Sequence, residues 1–152
     1  MGVISIKVLI DADGCPVVSK AVDICRGFAI PCLILCDTAH QFTSEYAQVL
    51  IFDKGNDSVD YALVARVQPG DVVITQDYGL ASMCLARQAR VLHQDGWEYH
   101  IDNIDALLLQ RHESRKHRAA GGRIQGQRKR TTEQNQAFSE ALRRLLQQSV
   151  QG

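Results

Sequence analysis

Aspartates recur where apolar runs of this sequence end, a placement that suits metal-assisted chemistry. The set singled out by this pattern comprises Asp11, Asp13, Asp57, Asp60 and Asp77. Clustered carboxylates repel one another and raise one another's pKa, and a hard divalent cation such as Mg²⁺ or Mn²⁺ relieves the repulsion because it prefers oxygen ligands. A metal held in this way activates water and neutralises the charge that develops when a phosphate ester is cleaved. The residue types therefore predict a metal-dependent phosphoesterase site.

Each aspartate also has a simpler interpretation, because an aspartate after a strand often only caps a helix or forms a turn. Asp13 is well placed to cap a helix that we predict to begin at Pro16. Asp11 and Asp77 are harder to explain in this way, since each directly ends an apolar strand. Asp53 has the weakest support as a site residue.

Two other polar residues near the strand ends are candidates for contacting substrate. Thr75 immediately precedes Gln76 and Asp77, so its hydroxyl could form a hydrogen bond within the site or with a ligand. The alternative is an ordinary β-branched strand residue. His40 follows the second predicted strand and could bind phosphate or shuttle a proton, although many surface loops carry a histidine without any such role.

The elements that would position these residues alternate between strand and helix. The pattern predicts strands over 4–10, 30–36, 48–52, 71–75 and 90–93, and helices over 16–26, 57–67, 78–87 and 104–111. Thr131 or Thr132 caps a final helix. Alternation of this kind indicates an α/β fold with a mostly parallel sheet and helices on both faces, and such sheets bind ligands beyond the carboxyl ends of their strands.

Charge is divided unevenly along the chain. Residues 1–110 carry 14 acidic and 7 basic side chains, whereas residues 111–152 carry 3 acidic and 10 basic ones. We therefore divide the chain into an α/β domain over 1–113, a basic, glycine-containing flexible loop over 114–130, and a C-terminal helix over 131–152 that packs back on the domain. Arg115, Lys116 and Arg118 in the loop would attract phosphate groups and steer them toward the acidic cleft.

The cysteine pattern and hydropathy indicate the compartment. Five cysteines, an odd number without a CxxC pair, favour reduced thiols and no disulfide-linked partner. Cys32 and Cys36 are four residues apart in a strand and should face the same side. No apolar run reaches the roughly 20 residues that a membrane helix needs. We expect a cytoplasmic protein without a membrane partner.

Four blocks of this sequence resemble one family. VLIDADGCPV at 8–17, GNDSVDYAL at 55–63, GDVVITQDYGLA at 70–81 and DNI at 102–104 look like the YaiI/YqxD family of bacterial proteins, in the expected order and over nearly the whole chain. That family is grouped with PIN-like domains, which include many ribonucleases that bind Mg²⁺ or Mn²⁺. The resemblance therefore implies a Rossmann-like (PIN-like) three-layer fold and a nuclease site.

The resemblance also assigns the acidic residues to motifs. Asp11 and Asp13 match the acidic pair of the first motif, Asp57 and Asp60 match the central pair, and Asp77 matches the acidic residue after the fourth strand. All five would be metal ligands, and Asp11, Asp60 and Asp77 would carry the catalysis.

The sequence leaves three functions open. The leading prediction is a divalent-metal-dependent nuclease or phosphoesterase that acts on RNA or nucleotides. A second is a non-catalytic module that binds RNA or nucleotides through the same cleft. A third is a haloacid-dehalogenase-type phosphatase with Asp11 as the nucleophile, since Asp11 to Gly14 resembles that motif. That family, however, expects Thr or Val where Cys15 stands.

Overall fold

The structure is a computed structural model, and it describes residues 5–38, 42–53, 58–104 and 129–151. The strands are β1 (Val8–Asp11), β2 (Cys32–Asp37), β3 (Gln48–Phe52), β4 (Val72–Ile74), β5 (Arg90–Leu92) and β6 (Glu98–Tyr99). The helices are α1 (Val18–Phe28), α2 (Ser58–Arg66), α3 (Tyr78–Ala86) and α4 (Thr132–Gln151). Residues 101–104 are helical, and the remainder of the helix predicted over 104–111 lies outside the described residues.

The described strands form one six-stranded sheet in the order β3-β2-β1-β4-β5-β6. The first five strands pair in parallel, and β6 pairs antiparallel with β5. This confirms the predicted mostly parallel sheet. The prediction missed β6, because a strand of two residues is too short to leave a hydrophobic period. The strand order reverses between β1 and β4, so their carboxyl ends open a crevice of the kind that binds ligands in this class of fold.

Helices cover both faces of the sheet. On one face, Val8 and Ile10 of β1 belong to a core that also contains buried residues of α1 and α4. On the other face, Leu9 of β1 belongs to a second core with buried residues of α2 and α3. The alternation of neighbouring β1 residues between the two cores follows from the two-residue period of a strand. The arrangement confirms the predicted Rossmann-like three-layer fold.

Helix α1 begins and ends later than the sequence predicts. It starts at Val18, and Gly27, the residue after the predicted helix, lies inside it. Ala29 ends α1 in the left-handed conformation, with a φ of 56°, and its N–H donates to the carbonyl of Arg26. A non-glycine residue therefore occupies the position that usually favours glycine at a helix end.

Helix α4 begins with a reciprocal cap and buries one apolar face. The Thr131 hydroxyl accepts the Gln134 N–H at 3.2 Å, and the Gln134 side-chain oxygen accepts the Thr131 N–H at 2.9 Å. This is a capping box, and it confirms Thr131 as one of the two predicted caps. Four large apolar side chains at helical spacing are buried: Phe138, Leu142, Leu145 and Leu146.

Four of the five cysteines are buried in the core, and Cys15 is partly buried against it. All five are free, and Cys32 and Cys36 both lie in the core on the α1 face, as the strand period predicts. Their burial is typical of small apolar side chains. Among the helices that the structure describes, none is long and apolar enough to span a bilayer.

Candidate active site at the carboxyl edge of the sheet

Two residues of the candidate site lie at the crevice between the carboxyl ends of β1 and β4. Asp11 is the last residue of β1, and Thr75 directly follows β4. The two strands pair in register, with Ile10 opposite Ile74, so the next residue of each chain segment faces its counterpart. The parallel pairing therefore brings Asp11 and Thr75 together across 64 residues of sequence.

A short chain of hydrogen bonds fixes the Asp11 carboxylate. The Thr75 hydroxyl donates to Asp11 Oδ2 at 2.8 Å and accepts the Asp77 N–H at 3.0 Å. Thr75 is only 2% exposed, so its hydroxyl has few alternatives to these two partners. The candidate substrate contact at Thr75 is thus a residue that orients Asp11.

The electrostatic environment of Asp11 is unfavourable for a carboxylate. Burial raises the pKa of Asp11 from 3.8 to about 6, although the Thr75 hydrogen bond opposes the rise. The charges of Asp60, Asp77 and Asp13 contribute to this rise, in that order. Three of the other predicted aspartates therefore interact electrostatically with Asp11. We call Asp11, Asp13, Asp60 and Asp77 the acidic site.

Asp13 and Asp77 also have structural roles. Both carboxylate oxygens of Asp13 accept the Asp37 N–H, at 3.0 and 3.3 Å, which ties the loop after β1 to the end of β2. The prediction that Asp13 caps α1 was wrong, because the N-cap residue is Val17 and it makes no side-chain capping bond. Asp77 caps α3, since its Oδ1 accepts the N–H groups of the second and third helical residues at 2.8 and 3.1 Å.

Asp60 approaches the site from the first turn of α2. Besides its effect on Asp11, Asp60 influences the thiol of Cys84, which is buried in α3. Burial, followed by the charges of Asp11 and Asp60, raises the pKa of Cys84 from 9.0 to about 12. The two carboxylates therefore act on the same region between α2 and α3.

Five predicted site residues lie outside the described residues, and the structure places none of them: Asp57, His40, Arg115, Lys116 and Arg118. Asp53 is described and exposed.

The donor chemistry of the acidic site fits a hard divalent cation, because every candidate ligand is a carboxylate oxygen and the like charges raise the pKa of Asp11. Across the described residues, no group of three or more His, Cys, Asp or Glu side chains is arranged to hold a metal ion. Mg²⁺ usually takes only one or two protein carboxylates and keeps several waters. Asp11 with one neighbour would meet that requirement.

Comparison with known families identifies the chain. The profile described as "Uncharacterized BCR, YaiI/YqxD family" matches residues 9–148, which include the whole acidic site. The chain belongs to the YaiI/YqxD family. This confirms the resemblance seen in the sequence motifs.

Relatives of this YaiI/YqxD protein match it over most of both chains. A UPF0178 protein of Exiguobacterium sibiricum is 45% identical over 140 residues, covering 92% of this chain and 96% of the relative. UPF0178 proteins of Clostridium acetobutylicum and Ruminiclostridium cellulolyticum are 44% and 42% identical, covering 92% and 96% of this chain and 96% and 95% of the relatives, respectively. No solved structure matches the chain.

A polar cleft of about 710 Å³ lies beside the acidic site of this YaiI/YqxD protein. The loops after β1 and β4 form one side of it, the turn after β5 forms another, and the start of α4 closes it. We call it the side cleft. Its lining includes Gly14, Gln76, Tyr78, His93, Gln94 and Arg130.

His93 in the side cleft is held as a neutral imidazole. Its Nδ1 accepts the Asp95 N–H at 3.0 Å, so the proton is on Nε2. The Asp95 carboxylate is 3.7 Å from the same nitrogen, too far for a hydrogen bond. Burial lowers the pKa of His93, in agreement with the neutral form. The ring also stacks on Trp97 with a centroid distance of 4.3 Å.

Arg130 anchors the start of α4 to the turn after β5. Its guanidinium donates to the Asp95 carboxylate at 2.7 Å, to the Gln94 carbonyl, and to the Asn135 side chain. These partners fix the cleft wall rather than leave the cation available to a ligand.

Sequence reasoning missed His93 and Gln94 as candidates. His93 directly follows β5 and therefore obeys the same strand-end rule that selected Asp11 and Asp77. The signal was therefore present in the sequence.

Proposed function

We propose that this YaiI/YqxD-family protein is a divalent-metal-dependent nuclease or phosphoesterase that acts on RNA or nucleotides, as a PIN-like domain in the cytoplasm. The observation that carries the proposal is Asp11: a carboxylate at the topological switch point, oriented by Thr75 and surrounded by the charges of three further aspartates. A folded protein keeps such an arrangement of like charges mainly where it serves a site.

In the proposed site, Asp11 together with Asp60 or Asp77 would hold Mg²⁺ or Mn²⁺. When bound, the metal supplies charge neutralisation and an activated water for cleavage of a phosphate ester. Thr75 keeps one Asp11 oxygen in a fixed direction by its hydrogen bond. Asp13 holds the β1 loop against β2, which keeps the crevice in shape.

Cations of the basic segment would attract the substrate. Arg115, Lys116 and Arg118 precede the point at which the chain returns to the described structure, at Lys129 and Arg130. Arg130 lines the side cleft, so this end of the segment is next to the acidic site. Such a charge distribution favours a polyanionic substrate over a neutral one.

The first test is cleavage of single-stranded RNA by purified protein with Mn²⁺ or Mg²⁺. We expect Asp11→Asn to abolish cleavage. The matched control is Asp23→Asn, which changes an exposed aspartate on α1 and should leave cleavage unchanged. Equal cleavage by the wild type and the Asp11 variant would identify a contaminant and overturn the proposal.

A second measurement tests whether Asp11 is needed for metal binding. Mg²⁺ or Mn²⁺ should raise the melting temperature of the wild type, because a ligand that binds the folded state stabilises it, and should not raise that of Asp11→Asn. Salt-sensitive retention of RNA without cleavage under any divalent metal would contradict the catalytic proposal and indicate a binding module. A phosphorylated Asp11 trapped during turnover would instead indicate the phosphatase mechanism.

A further inference from the structure

We infer that the side cleft binds the base of a nucleotide whose phosphate lies at the acidic site; the assignment of the phosphate end rests on the proposed function. A base-binding cleft would make the substrate a nucleotide or nucleic acid rather than a general phosphate ester. Four observations support this inference: the position of the cleft, its size, its hydrogen-bonding groups, and the engagement of its cation.

The side cleft shares its walls with the acidic site. Gln76 lies between Thr75 and Asp77 in the loop after β4, and Gly14 directly follows Asp13 in the loop after β1. A ligand with one end at the carboxylates therefore extends along these two loops into the cleft. Gly14 makes room there, because a Cβ at this position would lie 3.3 Å from the Gln76 side-chain nitrogen.

The volume of the side cleft, about 710 Å³, suits a nucleotide. Small-molecule sites typically enclose roughly 300–1,000 Å³. Inorganic phosphate alone would leave most of this space unfilled, so the cleft favours a ligand with a substantial second part.

The lining groups match those that recognise bases. Gln76 is exposed, and its amide offers both a donor and an acceptor, the combination that pairs with base edges. The Gln94 side-chain oxygen is buried and has no hydrogen-bond donor among the described residues, although buried acceptors normally have one. Neutral His93, supported by Trp97, adds an aromatic surface beside these amides.

The electrostatics of the cleft favour a base over a second phosphate. Among the described lining residues, Arg130 carries the permanent positive charge. Its guanidinium is already paired with Asp95 and donates to the Gln94 carbonyl. His93 is neutral, because its Nδ1 accepts a backbone N–H. A phosphate placed there would meet the Asp95 carboxylate without an uncommitted cation to offset it.

Trp97 provides a direct readout, because it is the sole tryptophan of the chain and stacks on His93. We would titrate the full-length protein with AMP, GMP, CMP and UMP, once in EDTA and once with Mg²⁺, while recording tryptophan fluorescence. Ribose 5-phosphate and inorganic phosphate serve as ligands without a base. We expect a saturable change with at least one nucleotide and at least tenfold weaker binding of ribose 5-phosphate. Equal binding of ribose 5-phosphate, or no saturable change with any nucleotide, would overturn the inference.

Amide variants locate the binding. Gln76→Ala and Gln94→Ala should each weaken nucleotide binding about three- to tenfold, the effect of losing one typical hydrogen bond. Gln136→Ala is the matched control, because Gln136 is exposed on α4 and does not line the side cleft. Melting temperatures would verify that each variant is folded. Equal affinities of the two cleft variants and the wild type would place the base elsewhere and contradict the inference.

The outcome also separates this inference from the proposed function. Base-dependent binding in a protein that cleaves no RNA with any divalent metal would support the side cleft and reject the nuclease. Cleavage of RNA by a protein that binds ribose 5-phosphate as well as nucleotides would support the nuclease and reject the side cleft.

Discussion

The folded protein favours the protonated form of the Asp11 carboxyl group. Burial is the largest cause of the rise of its pKa from 3.8 to about 6, and the neighbouring carboxylates add to it. A rise of this size corresponds to roughly 3 kcal/mol of folding free energy, because a tenfold change in an equilibrium constant corresponds to about 1.4 kcal/mol. The folded state binds this proton more tightly than the unfolded chain does. The charged form therefore opposes folding, increasingly so as the pH rises from about 4 to about 6.

Because the charged form of Asp11 opposes folding, we predict that Asp11→Asn stabilises the metal-free protein at neutral pH. The same substitution should remove the proposed activity. The free energy of unfolding should rise by roughly 1–3 kcal/mol, measured by urea unfolding in EDTA, because the amide carries no charge to bury. The gain should disappear below about pH 4, where the wild-type carboxyl is protonated in both states. A gain of equal size at acid pH would contradict the electrostatic cause.

Thr75 gives a second prediction, because its hydroxyl serves two partners at once. Thr75→Val leaves Asp11 without its donor and the Asp77 N–H without its acceptor, and should lower the free energy of unfolding by about 1–3 kcal/mol. It should also raise the pKa of Asp11, because the Thr75 hydrogen bond opposes the rise.

Thr75→Ser is the control for that substitution, since it keeps the hydroxyl and loses only a methyl group. Its effect on the free energy of unfolding should be about 1 kcal/mol or less. Equal losses in the two variants would show that packing of the methyl group matters more than the hydrogen bonds. Urea unfolding at neutral pH measures both losses.

Helix α4 and the turn between β5 and β6 hold one another in place. Gly96 in this turn has a φ of 95°, and a Cβ there would lie 2.6 Å from the backbone of Ala137 and 2.8 Å from the Phe138 nitrogen. Neither backbone atom can move independently of α4. Arg130 reinforces the contact from the start of the helix through Asp95. The turn that carries the side cleft is thus set by the docking of α4.

We predict that Gly96→Ala lowers the free energy of unfolding by about 2–4 kcal/mol, because it combines an unfavourable φ with a backbone clash. Gly27→Ala is the matched control: a Cβ there would have no atom within 4 Å, and the residue lies inside α1. That variant should stabilise the protein by about 0.5–1 kcal/mol. A Gly96 variant as stable as the wild type would mean that α4 does not dock on this turn in solution.

The molecule as a whole separates an acidic body from a basic C-terminal region, and this separation makes a prediction about RNA binding. Replacing Arg115, Lys116 and Arg118 by Gln should reduce the dependence of log affinity on log salt by up to about 2, since each contact with a single-strand phosphate contributes about 0.7. Arg130 is left unchanged, because its ion pair with Asp95 maintains the side cleft.

Arg143 and Arg144 supply the control for that experiment, since both are exposed on α4. Their replacement by Gln should leave the salt dependence nearly unchanged. If both sets of substitutions lower the salt dependence per charge equally, the effect is one of net charge, and the basic segment has no special role.

Particular residues show how far the sequence predicts the site. Asp71 opens the fourth predicted strand, and the structure shows a structural role: it is buried, paired with Lys7 at 2.7 Å and accepts the Gln68 N–H. Asp11 and Asp77 were expected at one edge of the sheet, and the charge of Asp77 contributes to the raised pKa of Asp11. The capping role predicted for Asp13 failed, because its carboxylate finds its partner on β2, which no local pattern reveals.

By itself, the sequence determined the alternation of strands and helices, the shared face of Cys32 and Cys36, and the end of each predicted strand to within one residue. These features follow from hydrophobic periods of two and about 3.6 residues. Only the tertiary structure decided that β1 lies beside β4, that Thr75 orients Asp11, and that α4 completes the side cleft. Contacts between residues 64 positions apart depend on how whole elements pack, and the conformational preferences of neighbouring residues do not specify that packing.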